Sequence, residues 1–83
     1  MRPEEADAAF LWHMLNAARL IEEILTDYEE DRYRSDRLAQ SAVERQIEII
    51  GEAARRVSAS FRDAHPEVPW RAIIGQRNII AHW

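Results

Sequence analysis

Leu38-Ala39-Gln40-Ser41-Ala42-Val43-Glu44-Arg45-Gln46-Ile47-Glu48-Ile49-Ile50-Gly51-Glu52-Ala53-Ala54-Arg55-Arg56-Val57, continued to Phe61, sets the class of the fold. Leu38, Ala42 or Val43, Ile47, Ile50, Ala54, Val57 and Phe61 recur at steps of three, four and five, close to the period of one face of an α-helix. The pattern predicts a helix of about six turns, amphipathic throughout and interrupted only by Gly51. An interior glycine costs a helix about 1 kcal/mol relative to alanine, so Gly51 is expected to mark a close helix crossing.

Working outward from this helix, the chain upstream opens on Pro3 with Glu4, Glu5 and Asp7. Proline fits a first helical turn, and acids favour the positive end of the helix dipole. Phe10, Met14, Ala17, Ile21, Ile24 or Leu25, and Tyr28 then form a second apolar stripe, widened by Leu11, Leu15 and Ala18. A stripe this broad predicts contact with more than one neighbour, either two helices of the same bundle or a second subunit. Trp12 and His13 lie toward its flank. Packing is the expected role of Trp12, and His13 reads as a half-exposed helix residue, with a reserve role as a second proton donor.

Glu29 to Asp36 breaks the period and predicts the first connection, with Ser35 or Asp36 capping the next helix. Its acids lack the spacing of an ordered calcium loop. Asp63 to Trp70 is the second connection, because Pro66 and Pro69 forbid helix continuation. Pro69 suits the start of a third helix through Ile73, Ile74, Ile79 and Ile80, loosened at Gly75 and Gln76. Trp70 reads as an anchor against the second helix rather than a base-stacking platform, and His65 as a loop residue. No repeat or strand-like alternation is visible. The expectation is one all-α domain over residues 1–83, an antiparallel up-down bundle of three main helices.

Composition narrows the chemistry. The 83 residues contain no cysteine, which removes disulfides and thiolate metal sites. All eleven basic residues are arginine, which removes lysine nucleophiles and Schiff bases. No signal-peptide pattern or run of eighteen apolar residues is present, and a cytoplasmic protein without membrane association is expected. The formal charge of −4 is unevenly spread: residues 1–31 hold two arginines and nine acids, a net of −7, whereas residues 32–83 hold nine arginines and six acids, a net of +3. That distribution permits a nucleic-acid groove in the second part of the chain and leaves the acidic helix for a partner. A solvated helix surface is the plainer reading of the charge alone.

The basic part also ends in the densest collection of reactive side chains, Arg77-Asn78-Ile79-Ile80-Ala81-His82-Trp83. Arginine offers a permanently charged fork for phosphate oxygens, histidine moves a proton near neutral pH, and asparagine can orient an imidazole or hold a hydroxyl. The set suits work on a phosphodiester and requires neither metal nor cofactor. On an ideal helix Asn78 and His82 share a face, while Arg77 points about 140° away from His82. A bundle salt bridge from Arg77 to Glu48 or Glu52 is the alternative role for the arginine, and Arg55 and Arg56 read either as phosphate contacts or as ordinary exposed arginines.

Arg77-Asn78-x-x-x-His82, preceded by Pro69-Trp70-Arg71-x-Ile73-Ile74-Gly75 and by Ile47-Glu48-x-Ile50-Gly51-Glu52-Ala53-Ala54-Arg55-Arg56, closely resembles the HepT-like toxins of the HEPN superfamily. The family pattern continues with a tyrosine one position beyond Trp83 and a further helix, so the chain as given is expected to lack both. The resemblance implies an endoribonuclease toxin of a prokaryotic toxin-antitoxin system that acts without metal. Arg77 would stabilise charge on the phosphate, His82 would serve as general base or acid, and Asn78 would orient substrate or imidazole. It also implies a homodimer bringing two such motifs to one cleft, and a minimal nucleotidyltransferase antitoxin of the MntA type, which in the family transfers AMP to the motif tyrosine. A different class of function, a non-catalytic helical dimerisation module that docks such a nucleotidyltransferase, fits the same fold.

Overall fold

A computed structural model describes residues 2–26 and 28–81, the side chains of residue 3 and of residues 76–81 excepted. The described residues form five helices, α1 (Pro3–Leu25), α2 (Glu30–Ser35), α3 (Arg37–Arg56), α4 (Ala59–Ala64) and α5 (Trp70–Ala81), and no strand. The long helices α1, α3 and α5 are the main elements of the expected all-α bundle. α3 is their common support, packing against α1 and α5 and, at its start, against α2.

The reason lies in the side chains that α3 turns inward. Ala39, Val43, Gly51, Ala53 and Ala54 are buried along it, and Ala17 and Val57 are the other buried apolar side chains among the described residues. Every one of these is small, and the larger apolar side chains of the two long helices, among them Phe10, Met14, Ile21, Ile47 and Ile50, are half-buried around them. Gly51 is buried, as a helix crossing there requires. Leu38 is not part of this face. It is 85% exposed, and the buried stripe begins one residue later at Ala39, which a helix carries about 100° around from Leu38.

Two features differ from the sequence reading. The first expected connection, Glu29 to Asp36, is mostly the short helix α2. Its last turn is tied to α3, because Gln40 Nε2 donates to the carbonyls of Tyr33 at 2.8 Å and Arg34 at 2.7 Å. Asp36 caps α3 as expected, its carboxylate accepting from the Ala39 N–H at 3.0 Å. The Tyr28 hydroxyl donates to the same carboxylate. That bond holds the Asp36 pKa below and the Tyr28 pKa above their ordinary values.

The second difference is a break in the predicted six-turn helix. α3 ends at Arg56, Val57 and Ser58 are extended, and α4 begins at Ala59. Ser58 causes the break by three bonds at once. Its Oγ accepts from the Phe61 N–H at 3.2 Å and caps α4, while its own N–H and hydroxyl donate to Asp7 at 2.8 and 2.6 Å. Periodicity does not register this kink, since Val57 is buried and Phe61 half-buried on either side of it. Asp7 itself is 8% exposed, the only buried charged side chain among the described residues.

The Ser58 hydroxyl, and secondarily its N–H, stabilise the carboxylate and lower the Asp7 pKa. An aspartate titrates near 3.9 when unfolded, so the contact stabilises the fold fully above that value and is lost as pH falls through the lower folded pKa. Asp7→Ala is expected to lower the urea midpoint at neutral pH, with the gap to wild type closing in acid. Ser58→Ala, which removes a helix cap, is expected to cost about 1–2 kcal/mol. Urea titrations of both variants at neutral and acid pH check this, and a gap that stays constant with pH would contradict it.

Candidate functional site

α5 carries the arginine and asparagine of the motif, and its start is fixed by a compact aromatic knot. The Pro69 carbonyl accepts the first helical bond, from Ile73 N–H at 3.0 Å. The Trp70 indole N–H donates to the His65 carbonyl at 3.0 Å. Phe61 meets Trp70 edge-on, with centroids 6.2 Å apart, and stacks on His65 at 4.3 Å. The anchor expected of Trp70 against the second helix is therefore present through Phe61, the last residue of that expected helix, which the break places on α4.

His65 has the structural place expected of a loop residue. Besides Phe61, its Nδ1 lies 3.1 Å from the Glu67 carboxylate. The Glu67 pKa is lowered first by its own backbone N–H and then by His65.

From this anchor α5 runs unbroken to Ala81, so Gly75 and Gln76 do not interrupt it. Arg77 and Asn78 stand in its second half. Their side chains and the whole of His82 lie outside the described residues, as do the Asn78–His82 face and any pairing of Arg77 with Glu48 or Glu52.

Two hollows flank the support helix. The first, of about 470 Å³, lies between α1 and α3, lined by Phe10 and His13 on one side and Arg45, Glu48, Glu52, Arg55 and Arg56 on the other. His13 is exposed and rests edge-on against Trp12, with centroids 5.7 Å apart. The arginines here face their own counter-charges: Arg45 lies 3.7 Å from Glu48, and Arg55 and Arg56 lie 4.0 and 3.6 Å from Glu52. Arg56 also sits over the Phe10 ring at 6.0 Å. Exposed pairs of this kind contribute little stability, but they leave the hollow nearly neutral.

The second hollow, of about 660 Å³, opens between α4 and the beginning of α5. Arg62, Arg71 and Arg55 line it with Trp70, Ile74 and Gly75, and Asp63 is its one carboxylate among the described residues. Neither Arg62 nor Arg71 has a carboxylate within 4.0 Å among the described residues. The Arg62 Nε is buried without an acceptor there. Arg62 was not singled out by motif, and Arg71 entered only as part of the stretch that carries the family resemblance. Their signal is the absence of a helical counter-charge: Arg62 has Ser58 and Pro66 four residues to either side, and Arg71 has Gly75 ahead and Glu67 behind in the loop.

With that geometry in place, comparison with known proteins is informative. The family described as ribonuclease HepT-like matches residues 14–83, and the chain belongs to this HEPN-type family. A candidate RNase of Methanocaldococcus jannaschii is 38% identical over 74 residues, covering 89% of this chain and 68% of the relative. A ribonuclease HepT, named as probable, from Thermococcus cleftensis is 36% identical over 73 residues, covering 88% of this chain and 66% of the relative. A second M. jannaschii protein, whose name joins a gamma-glutamylcyclotransferase to a candidate RNase, is 38% identical over 71 residues, 86% of this chain and 32% of its own length. The chain thus spans about two thirds of two of these relatives and a third of the other. No solved structure matches it.

Two substitutions test the α5 framework. A Cβ at Gly75 would meet nothing within 4 Å, so Gly75→Ala is expected to raise stability by up to about 1 kcal/mol through helix propensity. Trp70→Phe keeps a ring beside Phe61 but loses the bond to the His65 carbonyl, with an expected cost of about 1 kcal/mol. Thermal midpoints measured side by side check both signs.

Proposed function

We propose that this chain is a toxin endoribonuclease of a prokaryotic toxin-antitoxin pair. The observation that carries the reading is the family match over residues 14–83, which includes the whole Arg77 to His82 motif. The proposed reaction is transesterification within RNA. A ribose 2′-oxygen bonds to the adjacent phosphorus, the bond from phosphorus to the 5′-oxygen breaks, one proton leaves the 2′-hydroxyl and one reaches the departing 5′-oxygen. The products are a 2′,3′-cyclic phosphate and a 5′-hydroxyl. His82 serves as general base or acid, the Arg77 fork stabilises charge on the phosphate oxygens, and Asn78 orients the imidazole or substrate. This residue set supplies proton transfer and charge stabilisation without a metal.

One motif histidine per chain serves two oxygens poorly, so the reading includes a homodimer with two His82 side chains at one cleft. Trp12, 61% exposed, and Leu15, 48% exposed, leave apolar surface on α1 for another chain. The proposed antitoxin is a minimal nucleotidyltransferase of the MntA type, and the proposed setting is the cytoplasm. No helix among the described residues is long and apolar enough to cross a membrane. The same exposed side chains favour the second reading, a helical module that docks a nucleotidyltransferase without cutting RNA.

His82→Ala and Arg77→Ala are each expected to lower the rate of RNA cleavage by about 10²–10⁴-fold with the helical circular dichroism unchanged. Chelation of divalent metals is expected to leave the rate unaltered, and mass spectrometry of the product ends should show cyclic phosphate. A wild-type chain that binds a nucleotidyltransferase and cuts no RNA would establish the docking module instead.

A further inference from the structure

We infer that the hollow between α4 and the start of α5 is a phosphate-binding subsite for the RNA strand, with Arg62 and Arg71 gripping the backbone beside the Arg77 to His82 motif. This rests on the ribonuclease reading and extends it to residues outside that motif.

Charge separates this hollow from the other one. Between α1 and α3, Glu48 and Glu52 face the arginines and an anion would have to displace them. Between α4 and α5, Arg62 and Arg71 have no ion pair among the described residues, and Asp63 is the sole acid on the wall. The Arg62 Nε is removed from solvent with no acceptor. Buried donors are almost always satisfied, and an exception asks for a missing partner. Guanidinium forks match the paired oxygens of a phosphodiester.

Shape and position select a nucleic-acid strand as the ligand. The volume of about 660 Å³ lies within the range of about 300–1,000 Å³ typical of small-ligand sites. Trp70 and Ile74 add apolar wall for a sugar or base, and Trp70 is already held by the His65 carbonyl and the edge of Phe61. Gly75 leaves the backbone of α5 bare where the helix borders the hollow. Arg71 precedes Arg77 by six residues on one continuous helix, about 9 Å along its axis. A strand seated in the hollow therefore reaches the motif within a few nucleotides. The subsite would hold the strand in register while the motif acts on a neighbouring phosphate.

The test uses the full chain and a fluorescein-labelled, fully 2′-O-methylated RNA oligonucleotide, which can bind but cannot supply the attacking hydroxyl. Anisotropy titrations at several salt concentrations compare wild type with Arg62→Ala, Arg71→Ala, the double variant, Arg62→Lys, and Arg34→Ala as a control far along the chain on α2. Arg71 is exposed, so its variant tests the subsite even if Arg62→Ala impairs folding, which thermal melting would reveal. Each lost phosphate contact is expected to reduce the slope of log affinity against log salt by about 0.7. The double variant is expected to bind roughly tenfold or more weakly at low salt, with Arg62→Lys retaining the slope and Arg34→Ala unchanged.

Wild-type binding that Arg71→Ala and the double variant leave untouched would overturn the subsite while the ribonuclease reading stands. Cleavage of unmodified RNA by wild type, measured in parallel, keeps the two apart: a wild-type chain that neither binds nor cuts RNA overturns both.

Discussion

Two hydrogen bonds from Ser58 to the Asp7 carboxylate join the beginning of the chain to its middle across 51 residues of sequence. The bonded serine is also the cap of α4. The same side chain therefore registers α1 against the end of α3 and dictates that the chain turn there instead of continuing as one rod. Without that turn Phe61 would lie farther along the α3 axis, and the Phe61, His65 and Trp70 knot that starts α5 would have no base. The path from the first helix to the motif helix runs through this polar contact. A buried carboxylate is tolerable here because both of its oxygens accept hydrogen bonds.

The apolar core plays a different part. Among the described residues its buried members are alanines, valines and a glycine, which remove less apolar surface from water per residue than leucines or phenylalanines would. They allow close helix approach but leave larger apolar side chains on the outside of α1. Among the described residues, a small-residue core and an exposed apolar face on α1 go together: where the buried contacts are made by alanine, valine and glycine, Trp12 and Leu15 remain in solvent.

Much of this architecture was legible from residue order. The apolar recurrences from Phe10 to Ile24 and from Val43 to Val57 marked α1 and α3, Pro69 marked the start of α5, and Asp36 marked a cap. The all-α class followed from those elements alone. Three features were not legible, each for a physical reason. The α3–α4 break preserves an inward-facing Val57 and Phe61, so a periodicity reading passes over it, and the partner that enforces it is remote in sequence. α2 is a six-residue helix whose Glu30 and Arg34 pair at 2.6 Å in solvent, leaving no apolar stripe to detect. Leu38 looked like a core position because hydrophobicity does not say which side of a helix's first turn faces inward. The candidate site residues Arg77, Asn78 and His82 rest on the surrounding motif alone, since three polar residues at those spacings occur often by chance and their side chains lie outside the described residues. Arg62 and Arg71 emerged only when folding brought α4 beside α5, because their distinguishing property is the lack of a nearby acid in space.

Arg55 belongs to both hollows, facing Glu52 at 4.0 Å in one and lining the other with Arg62 and Arg71. A single exposed guanidinium thus forms a shared wall between two cavities. Any anion that draws it toward the second hollow weakens its hold on Glu52 and makes the first hollow more negative by one displaced charge. Thermodynamic linkage makes the relation mutual: a cation or basic segment settling in the first hollow would release Arg55 toward the second and strengthen anion binding there. The two faces of α3 are, in that sense, opposite pans of one balance.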